Sequence, residues 1–369
     1  MRKLRHLMFC IVLAPLALPA LAQEGDAPSA HLNEERVPAV MARAVDDVIR
    51  PDYRNFHQSA GRLTAAMTTL CAAPSDKTLQ DARAAFTDTV KNWGRIEIVR
   101  IGPVIEGNRF ERVLFYPDRK STGMKQVQAL LAKPDENAVR PGAIAGKSVA
   151  MQGLGALEYV LSGTGNEDLL AKTDGFRCRY GAAVAGNVEQ VAAELVNAWE
   201  KPDGVQAAWK NPGPDNPVFR DNREAITALL GILVHGAETV RDQRLEAFYK
   251  GEGKPVLPKQ AIFWRSGNTF VSVAANLDGL RTLLDTSDMA SLIDEDQRSV
   301  VDSIDFVLNQ LARKAETINP DIEAALGDSA DRAKLDYMLL NGKDLILRLS
   351  DNYGAAIGLG AGFSFSDGD

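Results

Sequence analysis

At 369 residues the chain exceeds one ordinary globular core, and at roughly 100–200 residues per domain it is expected to hold two. Hydrophobic residues make up 45% and charged residues 25%, a balance that excludes global disorder. A formal charge of −7 argues against a general electrostatic nucleic-acid binder, and sparse aromatics (7%) with frequent alanine favour helices over a β-sandwich.

The first residues read as an export leader. Arg2, Lys3 and Arg5 precede the apolar run 7–14, and Ala20-Leu21-Ala22 offers small residues to a signal peptidase, so cleavage is expected after Ala22. Pro15 and Pro19 break the run, and no later segment reaches the roughly 18 uninterrupted apolar residues of a membrane span. The expectation is a periplasmic protein with no transmembrane segment in its mature chain. Losing three basic residues and no acidic one leaves that chain more acidic, at about −10. Cys10 leaves with the leader. Cys71 and Cys178 remain, and in an oxidising compartment they are expected to pair.

Residues 23–35 are polar and read as a flexible tail. From 37 to 70 apolar residues recur at helical spacing (Val45, Val48, Ile49, Phe56, Leu63, Met67, Leu70), with Pro51 expected to kink or divide the stretch. Pro74-Ser75 opens a second helix through Leu79, Ala82, Phe86, Val90, Trp93 and Glu97, which must end before Gly102-Pro103. A short helix is expected over 124–131 and a longer one over 147–161, stopped by Gly163-Thr164-Gly165. A long stripe runs from 174 to 199. Prolines and glycines cluster over 201–217, the expected linker. Helical segments come next over 218–250, 260–285, 291–316 and 328–357, and the tail carrying Gly354, Gly358, Gly360 and Gly362 is expected to fray. The architecture expected is all-α: two tandem helical bundles, 36–200 and 218–369, packed against each other.

Three places could carry chemistry. Trp93, Glu97 and Arg100 stand at i, i+4 and i+7, which on one helix face aligns an aromatic, an acid and a base; a Glu97–Arg100 salt bridge near the surface is the plainer reading. In Ser148 to Glu158, two glycines within a helix cost about 1 kcal/mol each against alanine, offset either by close helix approach or by a ligand at the backbone. His235 and Glu238 form an H-x-x-E that can present two metal ligands, although zinc and iron sites need at least three from the protein. There is no H-E-x-x-H, G-x-S-x-G, P-loop or strand-borne G-x-G-x-x-G.

Several separated pieces resemble the imelysin-like family of exported bacterial proteins: Leu70-Cys71-Ala72-Ala73-Pro74, Trp93 to Pro103, Phe115-Tyr116-Pro117-Asp118, Gln152-Gly153 to Glu158, Arg177-Cys178-Arg179-Tyr180 and, more weakly, Phe263-Trp264-Arg265-Ser266. The resemblance implies two packed helical bundles with shared polar residues near their interface. Its signature G-x-H-x-x-E falls on Gly153 to Glu158, where Gly155 stands in place of the histidine. Family members are classed as metallopeptidases, and relatives serve iron uptake. By resemblance the ligand-binding candidates are Trp93, Glu97, Arg100, Asp118, Gly153 and Glu158, with His235 and Glu238 as candidate metal ligands. The cofactor implied is iron or another divalent metal. The function expected is that of a non-catalytic periplasmic binding protein for iron or a small ligand, with its site between the bundles and an outer- or inner-membrane uptake component as partner. The alternatives are an imelysin-type peptidase, with Glu158 as base, and an interaction or scaffold protein without a small ligand.

Overall fold

Pro51 does not divide the first helical run. The computed structural model describes residues 31–360, so the expected leader (1–22) and most of the expected tail lie outside the described residues. Helix α1 (Val37–Arg43) passes through a π-helical turn, Ala44–Ile49, into α2 (Arg50–Ala72). Pro51 sits in the first turn of α2 and has no N–H to offer the preceding turn. The wider i→i+5 turn carries the chain past that missing bond with helical φ and ψ throughout. Just before α1, Leu32 is buried, and the His31 and Asn33 N–H groups donate to the carbonyls of Ala356 and Leu292.

Local signals set most of the other helix ends. Ser75 caps α3 (Asp76–Ile96): its hydroxyl accepts from the Thr78 N–H at 3.2 Å, and its own N–H donates to the Thr78 hydroxyl at 3.0 Å. Asp118 accepts from the N–H groups of Thr122 (2.8 Å) and Met124 (3.0 Å) at the start of α4 (Thr122–Ala132). Helix α5 (Leu154–Ser162) is shorter than the expected 147–161. Gly153 is extended, and a Cβ there would lie 2.3 Å from the Val113 carbonyl oxygen, so the chain before α5 makes only a 3-10 turn, Val149–Met151. Gly153 is therefore a close-approach residue outside the helix.

Helix α6 (Phe176–Glu200) matches the expected stripe. Arg177 in its first turn donates to the carbonyls of Tyr159 (2.7 Å), Val160 (3.0 Å) and Thr164 (3.0 Å), satisfying the open end of α5. One residue on, Cys178 is disulfide-bonded to Cys71 at the end of α2. Within 201–217 the chain forms α7 (Val205–Lys210) and buries Trp209 edge-on between Trp199 and Phe219, each at 5.3 Å.

Beyond it lie α8 (Asn222–Glu238), continued by a π-helical segment Thr239–Leu245, then α9 (Thr269–Thr286), α10 (Ser299–Glu316) and α11 (Ser329–Leu347). Gly354, expected to fray, lies in a short helix, Gly354–Ala356, with buried Ile357 after it; Gly362 lies outside the described residues. Among the described residues every regular element is helical. In the first bundle α2 packs on α3 and α6; in the second α9 packs on α10, and α10 on α11. The two meet where α3 crosses α9. A Cβ on Gly94 would come within 2.8 Å of the Ala275 Cβ, and one on Gly279 within 2.1 Å of the Arg95 carbonyl oxygen. Those two glycines bring the helix backbones together, and the hydrophobic core runs unbroken through both bundles.

Candidate functional site at the bundle seam

The seam buries a charge. Helix α3 ends at Ile96, and Glu97 is its C-cap, so its carboxylate turns toward the second bundle. Arg244, from the π-helical segment after α8, donates through Nη2 to Glu97 Oε2 at 3.0 Å; both side chains are 2% exposed. Asn276 on α9 donates through Nδ2 to Glu97 Oε1 (2.7 Å) and to the Gly94 carbonyl (2.8 Å). The Arg244 guanidinium lies 4.7 Å from the Tyr116 ring centroid, and the Tyr116 hydroxyl reaches the carbonyls of Gln243 (3.0 Å) and Gln260 (2.9 Å). Burial pushes the Tyr116 hydroxyl above the usual phenol range, against the opposing pull of Arg244.

Beside this cluster lies a cavity of about 780 Å³, walled by Ile98, Phe110, Tyr116, Ile232, His235 and Arg244 among others. Arg244, Asn276 and His235, which line it, carry buried polar atoms with no protein partner: Arg244 Nε and Nη1, Asn276 Oδ1 and His235 Nε2. Native proteins leave few such atoms, and each costs about 1–3 kcal/mol when buried unpaired.

The alignment expected of Trp93, Glu97 and Arg100 on one helix face is corrected by the early end of α3. Arg100 lies beyond the helix, 3.6 Å from Glu111 and over the Phe110 ring at 4.3 Å, so the expected surface Glu97–Arg100 bridge gives way to the buried Glu97–Arg244 pair. Trp93 is core, packed between Phe56 (5.0 Å) and Phe110 (5.4 Å). Arg244 and Asn276 escaped the sequence reading. Asn276 left a trace there, a lone amide between the apolar positions Val273, Ala274, Leu277 and Leu280; Arg244 left none.

Asp118, Gly153 and Glu158 gather elsewhere, around a smaller cavity of about 110 Å³. Glu158 is buried on α5, and its Oε1 accepts from the N–H groups of Arg265 (2.9 Å) and Ser266 (3.1 Å) and from the Ser266 hydroxyl (3.1 Å). Arg265 Nη1 stands 3.7 Å from Oε2. Burial raises the Glu158 carboxyl above its ordinary range, and Arg265 and the Ser266 donors oppose the rise. The carboxylate thus fastens the turn at 263–266 to the first bundle. Gly155 borders the same cavity, and a Cβ there would meet nothing within 4 Å.

These residues do not fit a bound metal ion. Gly155 supplies no donor, Asp118 caps α4, and Glu158 is taken up by the 263–266 turn. His235 Nδ1 and Glu238 Oε2 are 2.9 Å apart and hydrogen-bonded to each other. Among the described residues no three or more His, Cys, Asp or Glu side chains stand together as an ion would require.

Fold and site together define an all-helical protein of two bundles joined over a buried ion pair. The chain belongs to the imelysin family: that family's model, described as a peptidase family, matches residues 49–349. In structure it is similar to an imelysin-like protein from Psychrobacter arcticum 273-4, at 18% identity and a TM-score of 0.74, over 91% of this chain and 99% of that one. It is also similar to a protein from Parabacteroides distasonis ATCC 8503 described as a candidate iron-regulated protein A precursor, at 16% identity and a TM-score of 0.70, over 89% and 96% of the two chains. No curated protein matches by sequence. At these identities the likeness concerns the fold.

Proposed function

We propose that the protein is an exported, non-catalytic binding protein that serves the uptake of iron or of a small ligand, with its site in the cavity at the bundle seam. The observation carrying this reading is the cavity of about 780 Å³ set against the buried Glu97–Arg244–Asn276 cluster, a size and mix of walls typical of small-molecule sites. The bundles are assigned to 36–200 and 218–369, joined by 201–217. The Cys71–Cys178 disulfide agrees with export, and the location assigned is the periplasm, after removal of residues 1–22. No helix of the described residues is long and apolar enough to cross a membrane, so a membrane uptake component enters as a separate partner. The iron connection rests on the description of the Parabacteroides distasonis protein.

The family's peptidase description finds less support. Hydrolysis needs an activated water or nucleophile and donors for an oxyanion, and the one candidate base, Glu158, is occupied by Arg265 and Ser266. The deciding experiment is elemental analysis of protein purified from its native compartment, paired with thermal melts in ferric iron, haem and small iron chelates. The expected result is a raised melting temperature with at least one of them. Protein that carries no iron and gains no stability with any would overturn the iron connection and leave the seam cavity only an iron-free small ligand.

A further inference from the structure

We propose that the seam cavity takes an organic anion, a carboxylate carried on an apolar body. This rests on the proposed function, in which the cavity is a ligand site. The anchor is Arg244. One guanidinium nitrogen is spent on Glu97, while Nε and Nη1 stay without an acceptor on a side chain only 2% exposed. A buried guanidinium with spare donors is best completed by a carboxylate, whose charge-assisted hydrogen bonds are about twice as strong as those to a neutral acceptor.

The surrounding charges point the same way. With Arg244, the arginines Arg100, Arg220 and Arg223 line the cavity beside three acids, Glu97, Asp221 and Glu224. Arg100 is paired with Glu111, Arg220 with Glu224, and Arg223 donates to the Gly358 carbonyl, which leaves Arg244 as the cation with donors to spare. All three acids are already engaged. Glu97 holds Arg244 and Asn276, Asp221 accepts from the Glu224 N–H at the start of α8, and Glu224 holds Arg220. A cation entering here would find no free carboxylate, whereas an anion would find Arg244. Ile98, Ile101, Phe110 and Ile232 supply an apolar wall, which a sugar or a bare inorganic anion would leave unused.

The test is calorimetric titration of the full chain with straight-chain carboxylates of six to twelve carbons and with the matching primary amides. The acids should bind at least about tenfold more tightly than their amides, a gap expected of a charge-assisted contact. Arg244→Gln should bring acid affinity down to that of the amides. Ala228→Trp, which fills the cavity wall away from the Glu97–Arg244 pair, should abolish binding of both. The comparison of acid with amide on the unaltered protein stands even if Arg244→Gln fails to fold. Amides that bind as well as acids would overturn the anion assignment and leave the ligand cavity standing. Acid binding unchanged by Ala228→Trp, or silence from both series, would also overturn it. If Ala228→Trp further left any response to iron or its chelates intact, the cavity itself would fall as the site.

Discussion

Glu97 and Arg244 are 147 residues apart in the chain and meet at 3.0 Å inside the seam, both withdrawn from solvent. Each comes from the end of a helix: Glu97 closes α3, and Arg244 belongs to the π-helical continuation of α8. Helix ends can turn a side chain across a bundle interface that a mid-helix residue would only line. The pair thereby ties the last turn of the first bundle to the second at the edge of the cavity.

Breaking that pair from one side should be costly. Arg244→Ala leaves a buried carboxylate with Asn276 as its chief remaining donor, and the expected loss is about 3–5 kcal/mol. The double variant Glu97→Gln/Arg244→Met, which removes both charges, should recover much of it. Urea unfolding of the two variants beside the parent reads this directly. A double variant no more stable than Arg244→Ala would show that packing, not the unpaired charge, sets the cost.

Helix positions were legible wherever their cause is local. The Ser75 cap, the stop at Gly163 and the apolar stripe of α6 depend on residues a few places apart, and each lies where its pattern predicts. The site was harder to read because its causes are distant. Glu97 is conspicuous in sequence, but its partners come from α9 and from the chain beyond α8, which periodicity does not bring together. Gly153 and Gly155 look alike as letters. Only the approach of the Val113 carbonyl separates them.

That difference is testable. Gly153→Ala would place its Cβ 2.3 Å from the Val113 carbonyl oxygen, and should cost about 1–3 kcal/mol or more through forced backbone movement. Gly155→His puts a side chain into open space and gives up glycine's poor helix propensity, so stability should change by less than about 0.5 kcal/mol. Thermal melts compare the two. The new imidazole alone should not create a metal site, because Glu158 remains bound to the 263–266 turn and at least three protein ligands are needed. Tight zinc or ferrous iron binding by Gly155→His in calorimetry would contradict that account of Glu158.

The Cys71–Cys178 bond spans 107 residues and joins the end of α2 to the first turn of α6. Chain-entropy reasoning for a loop of that length gives up to about 4–5 kcal/mol, an upper figure because measured values often fall short. The Cys71→Ala/Cys178→Ala variant should therefore melt well below the parent yet keep its helical circular dichroism at low temperature. Both cysteines are buried, so in the folded parent alkylation after mild reductant should be slow and should accelerate with added urea. Fast labelling without urea would mean that this junction opens on its own.

Asp285 gives the fold a pH dependence. Burial first, and then the like charge of Asp305, push its carboxyl up to about 6 from an ordinary 3.8, while Arg281, 3.7 Å away, opposes the rise. A folded-state value above the unfolded one means that the native chain holds this proton more tightly. Its stabilising contribution is complete below about pH 3.8 and is lost as pH climbs through about 6. With the side chain 40% exposed, solvent screening reduces the effect to about 1 kcal/mol. Asp285→Asn, which cannot ionise, should match the parent near pH 3.5 and exceed it by about that amount at pH 7. Urea unfolding at both pH values measures the gap. An advantage of equal size at pH 3.5 and pH 7 would assign it to packing, and the ionisation of a buried Asp285 would not be its source.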